Sequence, residues 1–221
     1  MQFTHSDSVA VLMSGGLDSA ILLGEALRTS AQICPLYVRC GLHWEAVELE
    51  YVRRYLEALE RPALQQLTIL DEPVADLDAN HWSVTGRNVP GADTPDEAVF
   101  LPGRNVLLLT KSMLWCHRHG VSAVALGVLG SNPFPDATPD FFSAFEKVVN
   151  RAVGGSVCIQ TPFAQMHKTE VMHLGGDLPL QHSFSCINPS NEQHCGRCNK
   201  CQERRNAFRD AGMSDPTEYS K

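Results

Sequence analysis

The sequence is short of positive charge and of long apolar runs. Its 18 lysines and arginines are outnumbered by 25 acidic residues, for a formal net charge of −7 over 221 residues, and this balance disfavours a general nucleic-acid-binding protein. No stretch approaches the roughly 18 uninterrupted apolar residues of a membrane span. The polar segment from Met1 to Val9 shows no secretory signal. We therefore expect a cytoplasmic protein without membrane contact and without direct binding of nucleic acid.

Two common phosphate-binding motifs are also missing. The chain has no Gly-x-x-x-x-Gly-Lys loop followed by serine or threonine and no Gly-x-Gly-x-x-Gly fingerprint, which argues against Walker-type and dinucleotide-binding proteins. In their place, Ser14-Gly15-Gly16-Leu17-Asp18-Ser19 lies between the apolar run Val9 to Met13 and a helical pattern that starts at Ala20.

This loop has the composition of an anion-binding site. Gly15 and Gly16 let the backbone approach an anion closely, and the helix start behind them presents unpaired N–H groups. Ser14 and Ser19 add hydroxyl donors, whereas Asp18 would repel phosphates unless Mg²⁺ lay between them. The loop therefore predicts a bound phosphate chain with Mg²⁺ on Asp18. A plain glycine turn with serine caps is the alternative.

The order of the apolar segments predicts an α/β fold. Buried-strand patterns alternate with helical ones, which is typical of an open parallel sheet with helices on both faces. The predicted strands are Val9 to Met13, Ile33 to Val38, Leu67 to Leu70, Ala123 to Val128 and Val157 to Thr161. Residues 71–100 interrupt the alternation with prolines, glycines and acids. Such a long connection is either a functional lid or a solvated excursion.

Half of the eight cysteines crowd into the C-terminal stretch Cys186-x8-Cys195-x2-Cys198-x2-Cys201. Overlapping Cys-x-x-Cys turns let neighbouring thiolates converge on one ion, so we predict a closed tetrahedral Zn²⁺ site of structural type. An iron–sulfur cluster is the alternative group, and His194 is an alternative ligand. Because the polar tail cannot form its own core, we divide the chain into an α/β domain of residues 1–180 and a zinc-bound helical segment of residues 181–221.

The remaining cysteines are scattered along the chain. With no sign of export, we expect them to be reduced thiols and not disulfides. Cys34, Cys116 and Cys158 are interpreted as small core residues. Cys40 follows the second strand and is predicted near the substrate end of the sheet.

The glycine-containing loop resembles the Ser-Gly-Gly-x-Asp-Ser signature of the N-type ATP pyrophosphatases, which adenylate a substrate oxygen and release pyrophosphate. Together with the cysteine cluster, it makes nearly the whole chain similar to the 7-cyano-7-deazaguanine synthase family, the nitrile-forming ligases of queuosine biosynthesis. Further matching segments are Leu101-Pro102-Gly103-Arg104-Asn105, Gly127-Val128, Pro135-Asp136, Pro139-Asp140-Phe141, Thr161-Pro162, His167-Lys168-Thr169-Glu170, Ser185-Cys186 and His194-Cys195-Gly196-Arg197-Cys198. The resemblance implies an adenine nucleotide alpha hydrolase-like fold.

The resemblance also implies an ATP-dependent carbon–nitrogen ligase that uses ATP, Mg²⁺ and Zn²⁺ and that forms a homodimer. The carboxylate of 7-carboxy-7-deazaguanine would attack ATP, ammonia would displace AMP to leave an amide, and a second adenylation would yield the nitrile. The implied catalytic residues are Ser14, Asp18, Arg104 and Lys168. The implied nucleotide-binding residues are Met13, Ser14, Gly15, Gly16, Leu17, Asp18, Ser19 and Ala20. Further candidates for polar site residues are His43 and His167.

Two segments depart from that family's pattern. Val38 to His43 keeps only a glycine and a histidine of the usual sequence, and residues 129–138 are shorter, with Ala137-Thr138 where the family has Cys-Arg. Losing an arginine removes a bidentate partner for a carboxylate, and Arg39 either replaces it or marks a change of acceptor. Two alternatives stay open: a paralogue that adenylates a different carboxylate to form an amide or conjugate, and a non-catalytic nucleotide-binding partner protein.

Overall fold

A five-stranded parallel sheet forms the centre of the structure. The computed structural model describes residues 8–220, and every strand pair in its sheet is parallel, in the order β3-β2-β1-β4-β5. The strands are β1 Ser8–Leu12, β2 Gln32–Arg39, β3 Thr68–Asp71, β4 Ala123–Ala125 and β5 Cys158–Gln160. Val9 of β1 lies opposite Ile33 on one side and Ala123 on the other. The sheet order therefore reverses at β1, where open α/β sheets bind ligands.

Across residues 8–220, helices lie between these strands and after the last of them. They are α1 Leu17–Thr29, α2 Glu45–Leu59, α3 Trp82–Thr85, α4 Arg104–His119, α5 Pro139–Val153, α6 Lys168–Leu174 and α7 Asn199–Asp210. Short 3₁₀ turns cover Asp96–Val99, Pro135–Ala137 and Leu180–His182. No helix in this part of the chain has both the length and the apolar character to cross a membrane. Residues 1–7 lie outside the described part, so the expectation about Met1 to Val9 stays a prediction.

The alternation of side chains along β1 divides the apolar residues into two cores. Ala10 belongs to a core with Met113 of α4, whereas its neighbour Val9 belongs to a core with Ile21 of α1 and Val52 of α2. Successive strand residues point to opposite faces of a sheet, so each face needs its own helical cover. The predicted open parallel sheet with helices on both faces is confirmed.

The fourth strand is shorter than its apolar run predicts. It ends at Ala125 instead of Val128, because the chain leaves the sheet at Gly127. A Cβ at Gly127 would lie 3.0 Å from the backbone carbonyl atoms of Asp18. The absence of a side chain thus lets the end of β4 approach the loop that follows β1.

One scattered cysteine was wrongly assigned to the core. Cys34, Cys40 and Cys116 are buried, as expected for Cys34 and Cys116, but Cys158 is exposed. The physical reason is its place on β5, an edge strand that pairs only with β4. One flank of such a strand faces solvent even when its neighbours are buried.

The long connection between β3 and α4 is pinned to the C-terminal segment. Gly91 forms an antiparallel bridge with Cys198, and Ala92 donates its N–H to the carbonyl of Arg197 at 3.0 Å. Residues 91–92 of the connection are therefore bonded to the segment that holds the cysteines. The role of residues 71–100 as a lid or a solvated excursion stays a prediction.

The C-terminal segment packs into both cores of the sheet. Phe184 belongs to the core on the α4 side, and Phe208 of α7 belongs to the core on the α1 side. The tail therefore shares its apolar contacts with the α/β region. The division of the chain at residue 180 stays a prediction.

Arg204 of α7 is a cation buried to 1% exposure. Its guanidinium donates to Ser183 Oγ at 2.9 Å, to the Leu180 carbonyl at 3.0 Å and to Thr217 Oγ1 at 2.5 Å. It also lies 5.2 Å from the ring centre of Phe208. One side chain thus ties the segment before the cysteines to the end of the chain.

We expect Arg204→Met to lower the free energy of unfolding by about 3 kcal/mol, because buried acceptors would lose their charged donor. Urea unfolding measures this change. The control is Arg209→Met on the same helix, whose side chain is 68% exposed and whose loss should change stability by less than about 0.5 kcal/mol. Equal effects of the two variants would contradict the role of Arg204.

Candidate functional site

The segment Ser14–Ser19, called the glycine loop from here on, leads from β1 into α1. Gly15 has a φ of 71°, a conformation that favours glycine. The amide nitrogen and the hydroxyl of Ser14 both lie 3.2 Å from Ser19 Oγ, and Ser19 donates to the Gly16 carbonyl at 3.0 Å. Within the described chain no side chain caps α1 at Gly16. No side-chain cap therefore occupies the first N–H groups of this helix, where the helix dipole favours negative charge.

Two clefts flank the glycine loop, and both are lined by Ser14, Gly16, Asp18 and Arg104. The tail-side cleft, of about 180 Å³, separates the loop from the C-terminal segment. Its other charged residues are Glu48, Lys168, Lys200, Glu203 and Arg204, and its aromatic residues are Trp44 and Phe184. A molecule in either cleft would therefore contact the same loop and the same arginine.

The α4-side cleft, of about 230 Å³, lies over the carboxyl ends of β1 and β4. Leu12, Gly127 and Val128 form its floor at these strand ends. Phe100 and Phe134 line it as a stacked pair with ring centres 4.8 Å apart. Flat apolar walls and exposed strand ends suit the planar base of a nucleotide.

Asp18 and Lys168 meet at the entrance of α6, although 150 positions separate them in the chain. Lys168 Nζ donates to both carboxylate oxygens of Asp18, at 2.7 and 2.8 Å, and lies 3.8 Å from Glu203. Burial acts to lower the pKa of Lys168, but the two carboxylates outweigh it and raise the pKa above its ordinary value. The lysine is therefore held as a cation beside the glycine loop.

Glu48 is a functional candidate that the sequence reasoning missed. It lies on α2, is 6% exposed and accepts a hydrogen bond from Tyr37 Oη at 2.8 Å. A Cβ at Gly15 would lie 2.7 Å from Glu48 Cγ, so the glycine makes room for this side chain. Burial raises the pKa of Glu48 to about 7, against the opposing charge of Arg104. The sequence feature that could have identified Glu48 is its position between two apolar residues, Val47 and Leu49, on an amphipathic helix.

Arg104 stands at the first position of α4, after Gly103 in a left-handed conformation. It lines both clefts and also a third, apolar cavity, and its buried Nε has no hydrogen-bond partner among residues 8–220. The next residue, Asn105, donates its backbone N–H to Asp136 Oδ2 at 3.0 Å. The Arg-Asn pair thus divides its roles: Asn105 anchors the helix start, and Arg104 faces the clefts.

Cys186, Cys195, Cys198 and Cys201 converge as predicted, with all four sulfur atoms within 4.8 Å of one another. The shortest separations are 3.8 Å for Cys186 to Cys198 and 4.0 Å for Cys195 to Cys201. Four thiolates around one zinc ion, each at roughly 2.3 Å, lie about 3.8 Å apart. The donor set and its spacing therefore fit a single tetrahedral metal ion better than a larger multi-iron cluster.

His194, the alternative ligand, is used elsewhere. Its Nε2 accepts the backbone N–H of Ser185 at 3.1 Å, and its ring packs against Phe184, Tyr51 and Tyr219. Burial lowers the pKa of His194 to about 3, which keeps the ring neutral. The geometry favours the four cysteines as the ligand set.

Several residues singled out from the sequence lie away from both clefts. Arg39 pairs with Asp71 at 2.6 Å, and both side chains are more than half exposed. His43 is exposed beside Gly86, and His167 caps α6 together with Glu170. Cys40 and Leu42 line the third cavity, whereas the divergent residues 129–138 contribute Asn132, Phe134 and Asp136 to the α4-side cleft.

Among the predicted nucleotide-binding residues, the structure brings Ser14, Gly16, Leu17, Asp18 and Ser19 to the clefts. Met13, Gly15 and Ala20 line neither cleft. Met13 and Ala20 are buried at 4% and 1% exposure. These two side chains belong to the core on the α1 side, so any contact they make with a nucleotide would come from their backbone.

Known proteins are similar to this chain over most of its length. Residues 8–212 match the family described as queuosine biosynthesis protein QueC. A 7-cyano-7-deazaguanine synthase of Solidesulfovibrio magneticus is 32% identical over 95% of this chain and 94% of its own length. One of Methanospirillum hungatei is 31% identical over 94% of this chain and 97% of its own length.

Among solved structures, a 4-thiouridine synthetase in complex with RNA and bound ATP has a similar fold. Its TM-score is 0.51 at 16% sequence identity, over 93% of this chain and 50% of that chain. This likeness concerns the fold alone. The family match spans the glycine loop, both clefts and the four cysteines, and the chain belongs to the QueC family of queuosine biosynthesis proteins.

Proposed function

We propose that the chain is an ATP-dependent ligase that adenylates the carboxylate of 7-carboxy-7-deazaguanine and uses ammonia to form the nitrile 7-cyano-7-deazaguanine. The observation that carries the proposal is the position of the glycine loop between two clefts that share Ser14, Asp18 and Arg104. Adenylation needs two substrates to meet at one α-phosphorus atom. A phosphate loop with a separate cleft on each side supplies that arrangement.

The α4-side cleft is the proposed adenosine site. Its stacked Phe100 and Phe134 offer flat apolar surface to a purine. Gly127 and Val128 expose backbone at the end of β4. The phosphates would then extend along the glycine loop to the N-terminus of α1, where backbone N–H groups and the helix dipole favour negative charge.

The tail-side cleft is the proposed acceptor site. It holds the cations Lys168, Lys200 and Arg204 beside the aromatic residues Trp44 and Phe184. A planar deazapurine that carries a carboxylate needs both apolar walls and positive charge. The α4-side cleft, by contrast, has Arg104 as its one lysine or arginine among the described lining residues.

In the first stage, the acceptor carboxylate attacks the α-phosphorus and pyrophosphate leaves. The Ser14 and Ser19 hydroxyls and the α1 N–H groups neutralise the departing charge. Asp18 would hold Mg²⁺, since one carboxylate together with substrate phosphates is the usual ligand set of that ion. With Asp18 occupied in this way, Lys168 would be released from its ion pair toward the phosphates.

In the second stage, ammonia attacks the acyl carbon and AMP leaves, so the carboxylate has become an amide. The amide oxygen then attacks a second ATP, and loss of AMP from the adenylated amide leaves the nitrile. Closed walls around the acyl adenylate matter because water would hydrolyse it. Trp44, Phe184 and Ile187 line the tail-side cleft and limit water there.

The four cysteines are the proposed holders of Zn²⁺, which would be structural. Four thiolates leave no open position for a reacting molecule. The cluster would therefore hold the tail in place to form one wall of the acceptor cleft.

A second candidate function is adenylation of a different carboxylate, ending at an amide or a conjugate. It is favoured by the position of Arg39, which pairs with Asp71 away from both clefts. Without Arg39, the cations that line the acceptor cleft are Arg104, Lys168, Lys200 and Arg204.

Pyrophosphate release tests the proposed function directly. With ATP, Mg²⁺ and ammonia, we expect release to require 7-carboxy-7-deazaguanine and to be accompanied by the nitrile. Release with other acids alone would support the second candidate function. No release with any acid would favour a nucleotide-binding partner protein without catalysis.

Asp18→Asn should lower the rate of acid-dependent pyrophosphate release at least about 100-fold, because the phosphates would lose their bridging cation. The fold should persist, as judged by circular dichroism. Asp210→Asn is the matched control, since its side chain is 52% exposed and lines neither cleft. A variant at position 18 with wild-type rates would contradict the magnesium role.

Cys198→Ser should reduce bound metal and stability together, because the remaining three thiolates cannot close a tetrahedral site. Elemental analysis of the purified protein and thermal unfolding measure the two effects. Cys158→Ser, at the exposed cysteine, should change neither. Iron with sulfide in the wild-type protein would contradict zinc, and full stability without metal would contradict the structural role.

A further inference from the structure

Making a nitrile from an amide requires removal of both protons from the amide nitrogen. When the amide oxygen bonds to the α-phosphorus and pyrophosphate leaves, the product is an O-adenylated amide cation. This cation is a strong acid, so its first N–H proton passes to water and leaves the neutral imidate. As the C–O bond to AMP then breaks, the electron pair of the second N–H bond forms the third C–N bond, and that proton needs an acceptor near the loop.

The tail-side cleft contains three carboxylates, and two of them are already ion-paired. Asp18 accepts both hydrogen bonds from Lys168. Glu203 accepts a hydrogen bond from Lys200 at 2.5 Å and lies 3.8 Å from Lys168. A carboxylate engaged by a cation is a poor proton acceptor, because protonation would break the pair.

Glu48 is the third carboxylate, and its hydrogen-bond partners, the Tyr37 hydroxyl and the Trp44 side chain, are both neutral. It is buried against Gly15, where a Cβ would come within 2.7 Å of its Cγ, and it lines the cleft with Asp18 and Lys168. The group is therefore next to the backbone of the glycine loop and is not neutralised by a salt bridge of its own.

We infer that Glu48 is a catalytic base, which takes the last proton from the nitrogen as AMP leaves and the nitrile forms. The inference rests on the proposed function and adds a residue to it. In this step the N–H bond breaks, the C≡N bond is completed, the C–O bond to AMP breaks, and the proton passes to a Glu48 oxygen. No oxidant or reductant is required.

The groups around Glu48 set the pH range of this step. They are Tyr37 on β2, Trp44 immediately before α2, Glu45 on α2, and Arg104 on α4. Burial raises the pKa of Glu48 to about 7, while Arg104 and the Tyr37 hydrogen bond act to lower it. The carboxylate accepts a proton only when ionised, so nitrile formation should increase as the pH rises through about 7.

Glu48→Gln separates this role from the rest of the reaction. When the amide is supplied with ATP, nitrile formation should fall at least about 100-fold, the usual effect of removing a general base. When the acid is supplied with ATP and ammonia, the variant should form amide within about 10-fold of the wild-type rate, so the amide accumulates. Glu48→Asp should restore part of the nitrile formation, and the exposed Glu50→Gln on the same helix should behave as wild type.

The possible outcomes are distinct. Wild-type nitrile rates in Glu48→Gln would overturn the assignment. So would loss of acid-dependent pyrophosphate release in a variant with an unchanged melting temperature, because Glu48 would then act in the first adenylation. Failure of the proposed function is recognised separately, because the wild-type protein itself would then form neither amide nor nitrile.

Tyr37→Phe provides a readout that a purely structural role for Glu48 would not move. Losing the Tyr37 hydrogen bond removes a contact that lowers the pKa of Glu48. The acidic limb of the pH profile for nitrile formation should therefore shift to higher pH, while the maximal rate changes little. An unshifted limb would show that Glu48 does not set this limb and would overturn the inference.

Discussion

The site depends on one interaction, the packing of the C-terminal segment against the glycine loop. Phe184 donates its backbone N–H to the Gly15 carbonyl at 2.6 Å, and two residues later the chain reaches Cys186. Arg204 fixes the same segment through Ser183 and Leu180. Without this packing the tail-side cleft would have one wall, and its cations would face solvent. Buried donors and a sulfur cluster therefore add to the apolar contacts of Phe184 and Phe208 in holding this tail.

Charge at the glycine loop is arranged over long chain distances. The loop carries no lysine of its own, and its positive charge comes from Lys168 on α6 and Arg104 on α4. The acidic side chains of Asp18 and Glu203 hold the lysine in place. Such pairs keep cations in place at a buried site where an unpaired charge would be unstable. An overall acidic protein can thus provide a locally positive cleft for anionic substrates.

Much of the fold follows from local patterns in the sequence. The strand at Val9, the helix after Ala20 and the convergence of four cysteines depend on neighbouring residues, so spacing and polarity predict them. The predicted end of β4, Val128, was wrong by three residues, because the chain leaves the sheet at Gly127 and approaches Asp18. The prediction that Cys158 is a core residue was also wrong, because an apolar pattern does not reveal which strand lies at the edge of the sheet.

The sequence by itself determined which chemistry the chain can hold. Two glycines, two serines and an aspartate after a strand indicate a phosphate loop, and four closely spaced cysteines indicate a metal. Only the tertiary structure decided which side chains share a cleft with that loop. Glu48 lies 33 residues beyond Gly15 in the chain, yet its side chain packs on that glycine. Arg39, adjacent to the substrate end in sequence, turns instead to Asp71. The sequence gives the order of residues along the chain. A site is formed by packing between elements that are distant in the sequence, and that packing depends on the whole tertiary structure.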